Sequence, residues 1–309
     1  EKEITNPRRL ASYLNTIGFT YWTKGEFDTA LKYYHRQLAI YKSIGDSNSI
    51  AWSCFMIGTA YRHKGEIETA LEYFHQNLTL SEASGNDVYA SLSLAASILI
   101  FLDHQDLTQA QKYLIKLQKL ERTPHPWISH QSRLTEALIL KESKRMKDKT
   151  QAQTILQQLL KENNLMFVWA RIAMVALCEL LLVEVKSFGD PEAWGEAKSL
   201  IRQLHIKAQD NHSVSTIVET LLLRAKVATI EGDLPQALKY YDQARLTAEE
   251  KKLCLLIQKV NTEQNHFEAE FEEWQALIQR NASLQERLAQ SQIDDYIQKV
   301  QKLITRMKD

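Results

Sequence analysis

The sequence is sparsely punctuated. Across 309 residues there are 9 Gly and 5 Pro, too few for the turns of an all-β sandwich or a doubly wound α/β enzyme. Charge of one sign is missing too: 38 Lys+Arg balance 38 Asp+Glu, so there is no basic footprint for nucleic acid and no polybasic membrane patch. The 3 cysteines, Cys54, Cys178 and Cys254, lie far apart with no CxxC. Such a set excludes a disulfide framework and predicts buried thiols in a reducing, cytoplasmic setting. No apolar run reaches the ~18 residues needed to span a bilayer; the nearest, Ile172 to Val185, is broken by Glu179 and Glu184. The chain opens on Glu1 rather than Met, without a signal-type apolar stretch, which predicts a piece of a longer protein. What remains is 44% hydrophobic and 25% charged, the composition of a globular chain of long helices.

An internal repeat decides the architecture. Ile17-Gly18-x2-Tyr21-x2-Lys24-Gly25-Glu26-Phe27-x-Thr29-Ala30-Leu31-x-Tyr33-Tyr34-His35 returns 40 residues later as Ile57-Gly58-x2-Tyr61-x2-Lys64-Gly65-Glu66-Ile67-x-Thr69-Ala70-Leu71-x-Tyr73-Phe74-His75. Leu38/Leu78 and Gly45/Gly85 extend the match, and Phe101, Leu107, Ala110, Tyr113 and Leu120 continue it in a third copy. The repeated positions have physical roles. Gly18 and Gly58 let a neighbouring helix approach the backbone, and Ala30 and Ala70 permit close crossing within a hairpin. Gly25 and Gly65 close the first helix in the left-handed conformation. Tyr21, Phe27, Tyr34 and their counterparts fill the space between helices. Gly45-Asp46 and Gly85-Asn86 end the second helix and start the next hairpin.

On these residues the chain resembles the tetratricopeptide repeat family. The unit of 40 rather than 34 residues resembles the long-helix variant of Rap regulators, kinesin light chains and the maltose-regulon activator. It departs from the family in having Leu14 and Cys54 at the early Trp position, and in lacking the closing Pro. The resemblance implies an all-α, right-handed superhelical solenoid, with first helices lining a concave face.

Further along, the pattern decays but hairpins persist. Leu134–Lys144 with Gln151–Leu160, and Phe167–Val185 with Ala193–Ala208, read as the fourth and fifth. At the joint of the fifth, Asp190 is an N-cap and Pro191 the first helical residue. Leu221-x6-Ala228-x3-Gly232-Asp233-Leu234-Pro235-x-Ala237-Leu238-x-Tyr240-Tyr241-x2-Ala244 is the sixth. The solenoid is expected over residues 1–249, and a two-helix extension over 250–309. That extension would hold one long helix, Ala248 to Arg280, and a last helix opened by the capping box Ser283…Glu286. Ile293, Ile297, Val300, Ile304 and Met307 recur by four and three, the seam of a short coiled coil through which the chain would form a homodimer.

No phosphate loop, GxGxxG or HExxH occurs, and the histidines have no ligand-spaced partners, so no catalytic residue, metal or cofactor is expected. His35 and His75 recur with the repeat as scaffold positions. The basic stretch Lys141, Lys144, Arg145, Lys147, Lys149 and the acidic one Glu263 to Glu273 read as solvated faces. First-helix positions not used within hairpins are Ser12, Asn15, Phe19 and Trp22, then Trp52, Phe55, Thr59 and Arg62 with His63, then Leu92, Ala95, Leu99 and Leu102. Four large aromatics among them point to a binding groove: Phe19, Trp22, Trp52 and Phe55 as apolar walls, Asn15, Thr59 and His63 as polar contacts, and Arg62 to take a ligand carboxylate. The groove lacks the Lys/Asn carboxylate clamp that the resemblance associates with chaperone-tail binding. The expected function is a non-enzymatic scaffold for a peptide or helix of another protein. The alternative is a ligand- or peptide-sensing module of a larger signalling or transcription protein.

Overall fold

The computed structural model describes residues 6–23, 26–122, 124–251 and 254–306. Sixteen α-helices and no strand are found among them. The chain divides into two compact units, one running to Ile155 and the other spanning Leu156–Thr305.

The first unit holds three full hairpins: α1 (Pro7–Thr23) with α2 (Phe27–Ile44), α3 (Ser47–Lys64) with α4 (Ile67–Ser84), and α5 (Asp87–Asp103) with α6 (Leu107–Leu120). Each first helix packs on its own second helix, and α2 and α4 pack on the first helix that follows. The reasons lie in small residues at the crossings. A Cβ on Gly58 would stand 2.8 Å from the Phe74 ring and 3.1 Å from the Ala70 carbonyl oxygen, and one on Gly18 would stand 2.7 Å from Tyr34. Ala30 and Ala70 are completely buried at the same joints.

Turns are set by local chemistry. Gly65 takes the left-handed conformation at φ 81°, and its N–H donates to the Arg62 carbonyl. Gly25 lies outside the described residues. Asp46, Asn86 and Asp106 cap α3, α5 and α6, each accepting the N–H three residues on. Between α3, α4 and α5, Asn77 is fully buried; its amide donates to the Ala51 carbonyl at 2.8 Å and it accepts from Ser93 at 2.7 Å.

The fourth hairpin starts earlier than the periodicity alone suggests. α7 (Pro126–Lys141) begins at Pro126 with His125 as N-cap, and α8 (Met146–Leu160) follows and spans the division between units. The second unit contains α9 (Phe167–Phe188) with α10 (Pro191–Asp210) and α11 (Val214–Glu231) with α12 (Leu234–Glu250). Asp190 caps α10, accepting from the Glu192 N–H at 2.8 Å, with Pro191 next to it. Helices therefore stand at all six expected hairpin positions.

The C-terminal segment differs from expectation. In place of two helices there are four: α13 (Cys254–Ala269), α14 (Phe271–Gln279), α15 (Leu284–Ser291) and α16 (Ile293–Arg306). The long helix is interrupted at Lys251, which ends α12, and again at Glu270. The capping box at Ser283 forms, but the helix it opens stops at Gln292, a non-glycine residue at φ 47°. No Gly or Pro stands at Glu270 or Gln292, so packing rather than local sequence imposes these breaks. α13 packs on α12 and α11, and α15 packs on α11 and α9.

The expected dimer seam is also corrected. Ile293, Ile297 and Val300 are completely buried within the single chain, so the stripe is spent on intramolecular packing. Ile304 and Met307 fall where side chains or residues are not described.

Candidate functional site

In the second hairpin the face in question is fixed by counting back from the closing residue of the first helix. Positions 13, 10, 6 and 3 residues before Gly65 are Trp52, Phe55, Thr59 and Arg62, a spacing that places them on one side of α3. Gln105 closes α5 in the same left-handed conformation, at φ 59°, and the same count gives Leu92, Ala95, Leu99 and Leu102.

The structure brings many of these side chains together across α1, α3 and α5. The Trp52 indole N–H donates to Asn15 Oδ1 at 3.4 Å, tying α3 to α1. Phe19 stacks on Trp22 at 5.7 Å, and Trp22 meets His63 edge-on at 5.0 Å. Trp52 contacts Phe55 at 5.7 Å and Tyr89 at 5.6 Å, and Phe55 reaches Phe74 at 5.9 Å. Thr59 returns its hydroxyl to the Phe55 carbonyl at 2.8 Å. Tyr89 and Asp103 belong to this assembly although the groove pattern does not pick them out.

Exposure separates the eight expected residues into two groups. Trp22, Phe55 and Arg62 are 3%, 5% and 6% exposed, so they are interior groups and not walls open to a ligand. Trp22 and Phe55 are part of the same buried cluster as Tyr34, Ile57 and Phe74. Arg62 is engaged from within: its Nη2 lies 3.3 Å from Asp103 Oδ2, linking α3 to the end of α5. Phe19 is 39% exposed, and Asn15, Trp52, Thr59 and His63 are partly exposed. The accessible surface is thus an aromatic ledge, Phe19 and Trp52, on a buried aromatic base.

His35 fits its scaffold role. Its ring meets Tyr61 and Tyr73 edge-on, and burial holds its pKa below the usual histidine value. Cys54 is buried nearby, with its thiol pushed up to about 11 by burial, which keeps it protonated and unreactive.

The same count in the second unit identifies a parallel face that the sequence pattern alone left unassigned. Back from Gly189 it gives Ala176, Glu179, Val183 and Lys186; back from Gly232 it gives Glu219, Leu222, Lys226 and Thr229. Four of the eight are charged, and all four have partners. Glu219, 2% exposed, accepts from Lys259 at 2.6 Å and from the Tyr296 hydroxyl at 2.9 Å. Lys226 pairs with Glu263 at 2.7 Å, so part of the acidic stretch is paired and half-buried rather than a fully solvated face. Beside this network lies a cleft of about 210 Å³ with Tyr241, Phe267, Trp274 and Tyr296 in its wall and Lys299 and Glu270 also lining it. Among the described residues no group of three or more His, Cys, Asp or Glu could hold a metal ion. No described helix is long and apolar enough to cross a membrane.

Paired helices closed by left-handed residues and joined through small-residue crossings define an all-α helical-repeat protein. Residues 9–83 match the model of the tetratricopeptide repeat, and the chain carries that repeat there. A solved structure, the apo form of RapI, is similar over 80% of this chain and 87% of its own length, with a TM-score of 0.53 and 16% identity. That likeness is one of fold. No curated protein matches the chain significantly. The tetratricopeptide repeat is in general a non-enzymatic fold for protein interaction or regulation.

Proposed function

We infer that the chain is a binding module that holds a peptide or helix of another protein against the first-helix face of its first unit. The observation that supports this most is the exposed ring of Phe19, stacked on buried Trp22, together with the partly exposed Trp52, which bonds Asn15 of the same helix as Phe19. Large aromatics fixed on a packed base lose little freedom on binding and make effective anchors. Asn15, Thr59 and His63 border them and supply polar contacts that set the register of a bound segment. Trp22, Phe55 and Arg62 contribute by holding the ledge rigid. Buried free thiols at Cys54 and Cys178 accord with a cytoplasmic setting. Residues 1–249 would carry the hairpins, with the helices from 250 onward packing back on the last two.

The test is capture of partners by the intact chain, followed by titration of each captured segment against the chain and a Phe19→Ala/Trp52→Ala variant. Loss of about 2 kcal/mol or more in binding, with helicity retained, is the expected outcome for two anchor residues. Equal binding by both proteins would remove this face from consideration.

A further inference from the structure

α16 occupies, in the second unit, the positions that correspond to the binding face of the first. Its contacts run along both first helices. Asp294 pairs with Lys186 of α9. Tyr296 donates to Glu219 of α11 at 2.9 Å, and its ring lies 4.7 Å from the Lys226 ammonium. The Gln301 amide, with its nitrogen toward α9, donates to both Glu179 carboxylate oxygens at 2.8 and 2.9 Å. Glu179, Lys186, Glu219 and Lys226 are all first-helix face positions by the count from Gly189 and Gly232. Between these polar contacts, Ile293, Ile297 and Val300 are completely buried. An amphipathic helix laid on a matching face is how helix-in-groove recognition works between proteins.

α16 follows α15 across a bend of a single residue. It joins α15 through Gln292 at φ 47°, a left-handed conformation that a residue with a Cβ adopts unfavourably. Residues 284–306 contain neither Gly nor Pro, so their local preference is one continuous helix from the Ser283 cap, and docking of α16 is what bends it. Straightening at Gln292 would redirect α16 away from α9 and α11.

We propose that the α9/α11 face is a helix-binding site whose resident occupant is α16, and that an amphipathic partner helix carrying an acid, a tyrosine and an amide at the spacing of Asp294, Tyr296 and Gln301 displaces it. The charged pairs supply orientation: Lys186 reads the acid, Glu219 the phenol and Glu179 the amide. This goes beyond the reading of the first unit and shares no residue with it.

The test uses the full chain and a fluorescein-labelled peptide of residues 291–306. In an Ile297→Glu chain the resident helix is dislodged, and the peptide should bind at least about tenfold more tightly than to the unaltered chain, where a tethered competitor holds the site. A peptide carrying Ile297→Glu should not bind. No uptake by an Ile297→Glu chain that keeps its helicity overturns the proposal, and so does loss of the α9–α12 hairpins in that variant, because α16 would then be a structural part of the unit. Hydrogen exchange on the unaltered chain decides independently of any variant. α16 amides should exchange together and ahead of those of α9 and α11; exchange of α16 only when α11 opens overturns it. Failure of the Phe19/Trp52 test leaves all of these outcomes unaffected.

Discussion

Replacing Gly58 with Ala tests the hairpin joint quantitatively, because the same substitution at Gly195 supplies its control. A Cβ at Gly58 would meet Phe74 at 2.8 Å and the Ala70 carbonyl at 3.1 Å. Phe74 is only 1% exposed and packed against Phe55, so its ring has nowhere to go, and the carbonyl belongs to the facing helix. Overpacking of this kind costs about 1–3 kcal/mol, while the gain from removing a mid-helix glycine is about 1 kcal/mol. The net expectation is a loss of up to about 2 kcal/mol, taking the difference of those two ranges. Gly195 sits on the exposed side of α10, and a Cβ there meets nothing within 4 Å, so Gly195→Ala should stabilise by about 1 kcal/mol. Urea denaturation followed by far-ultraviolet circular dichroism measures both. Adding Phe74→Leu to Gly58→Ala should recover part of the loss, a coupling expected only for residues in contact. Gly58→Ala as stabilising as Gly195→Ala would refute the close approach of α3 and α4, and with it the assigned repeat register.

Other consequences follow from buried charges and phenols. Asp103→Ala should destabilise the first unit by about 3 kcal/mol, because it removes the carboxylate paired with the buried Arg62 guanidinium, and an Arg62→Met/Asp103→Leu double variant should recover much of that in the same denaturation assay. Burial raises the pKa of Tyr34, Tyr241 and Tyr296 above the ordinary phenol value, with neighbouring glutamates adding to it for the last two. A group raised in the folded state stabilises fully below its unfolded pKa and loses that contribution as pH climbs toward the folded one. Stability should therefore hold to about pH 10 and then fall by about 1.4 kcal/mol per pH unit for each tyrosine. A flat denaturation midpoint between pH 9 and pH 11 would contradict this.

The parts legible in sequence are those governed by neighbours along the chain. Gly65 and Gly232 closing helices, Asp46 and Asp190 capping them, and Ala70 at a crossing are local or pairwise demands, so the repeat displays them directly. The first-helix face was equally legible as a direction. Its burial was not: helical spacing shows which side Trp22 and Phe55 occupy but not that Phe19, His63 and Phe74 close over them. Arg62 reads as an open cation until Asp103, 41 residues later, is brought to 3.3 Å. The C-terminal helices misled for the complementary reason. Ile293, Ile297 and Val300 announce an amphipathic helix, yet nothing in a stripe says whether its cover is a second chain or α9 and α11. The break at Gln292 has no glycine to betray it. One signal was available: counting back from Gly189 and Gly232 places Glu179, Lys186, Glu219 and Lys226 on the first-helix face, where charge invites a partner.

Amide hydrogen exchange of the intact chain, with and without a captured partner segment, tests the binding face most directly. Recognition at the first-helix face predicts slowed exchange in α1 and α3, strongest in the turns carrying Phe19 and Trp52, with α2 and α4 unchanged on their outer sides. Protection confined to α2 and α4, or spread evenly over both helices of each hairpin, would contradict it.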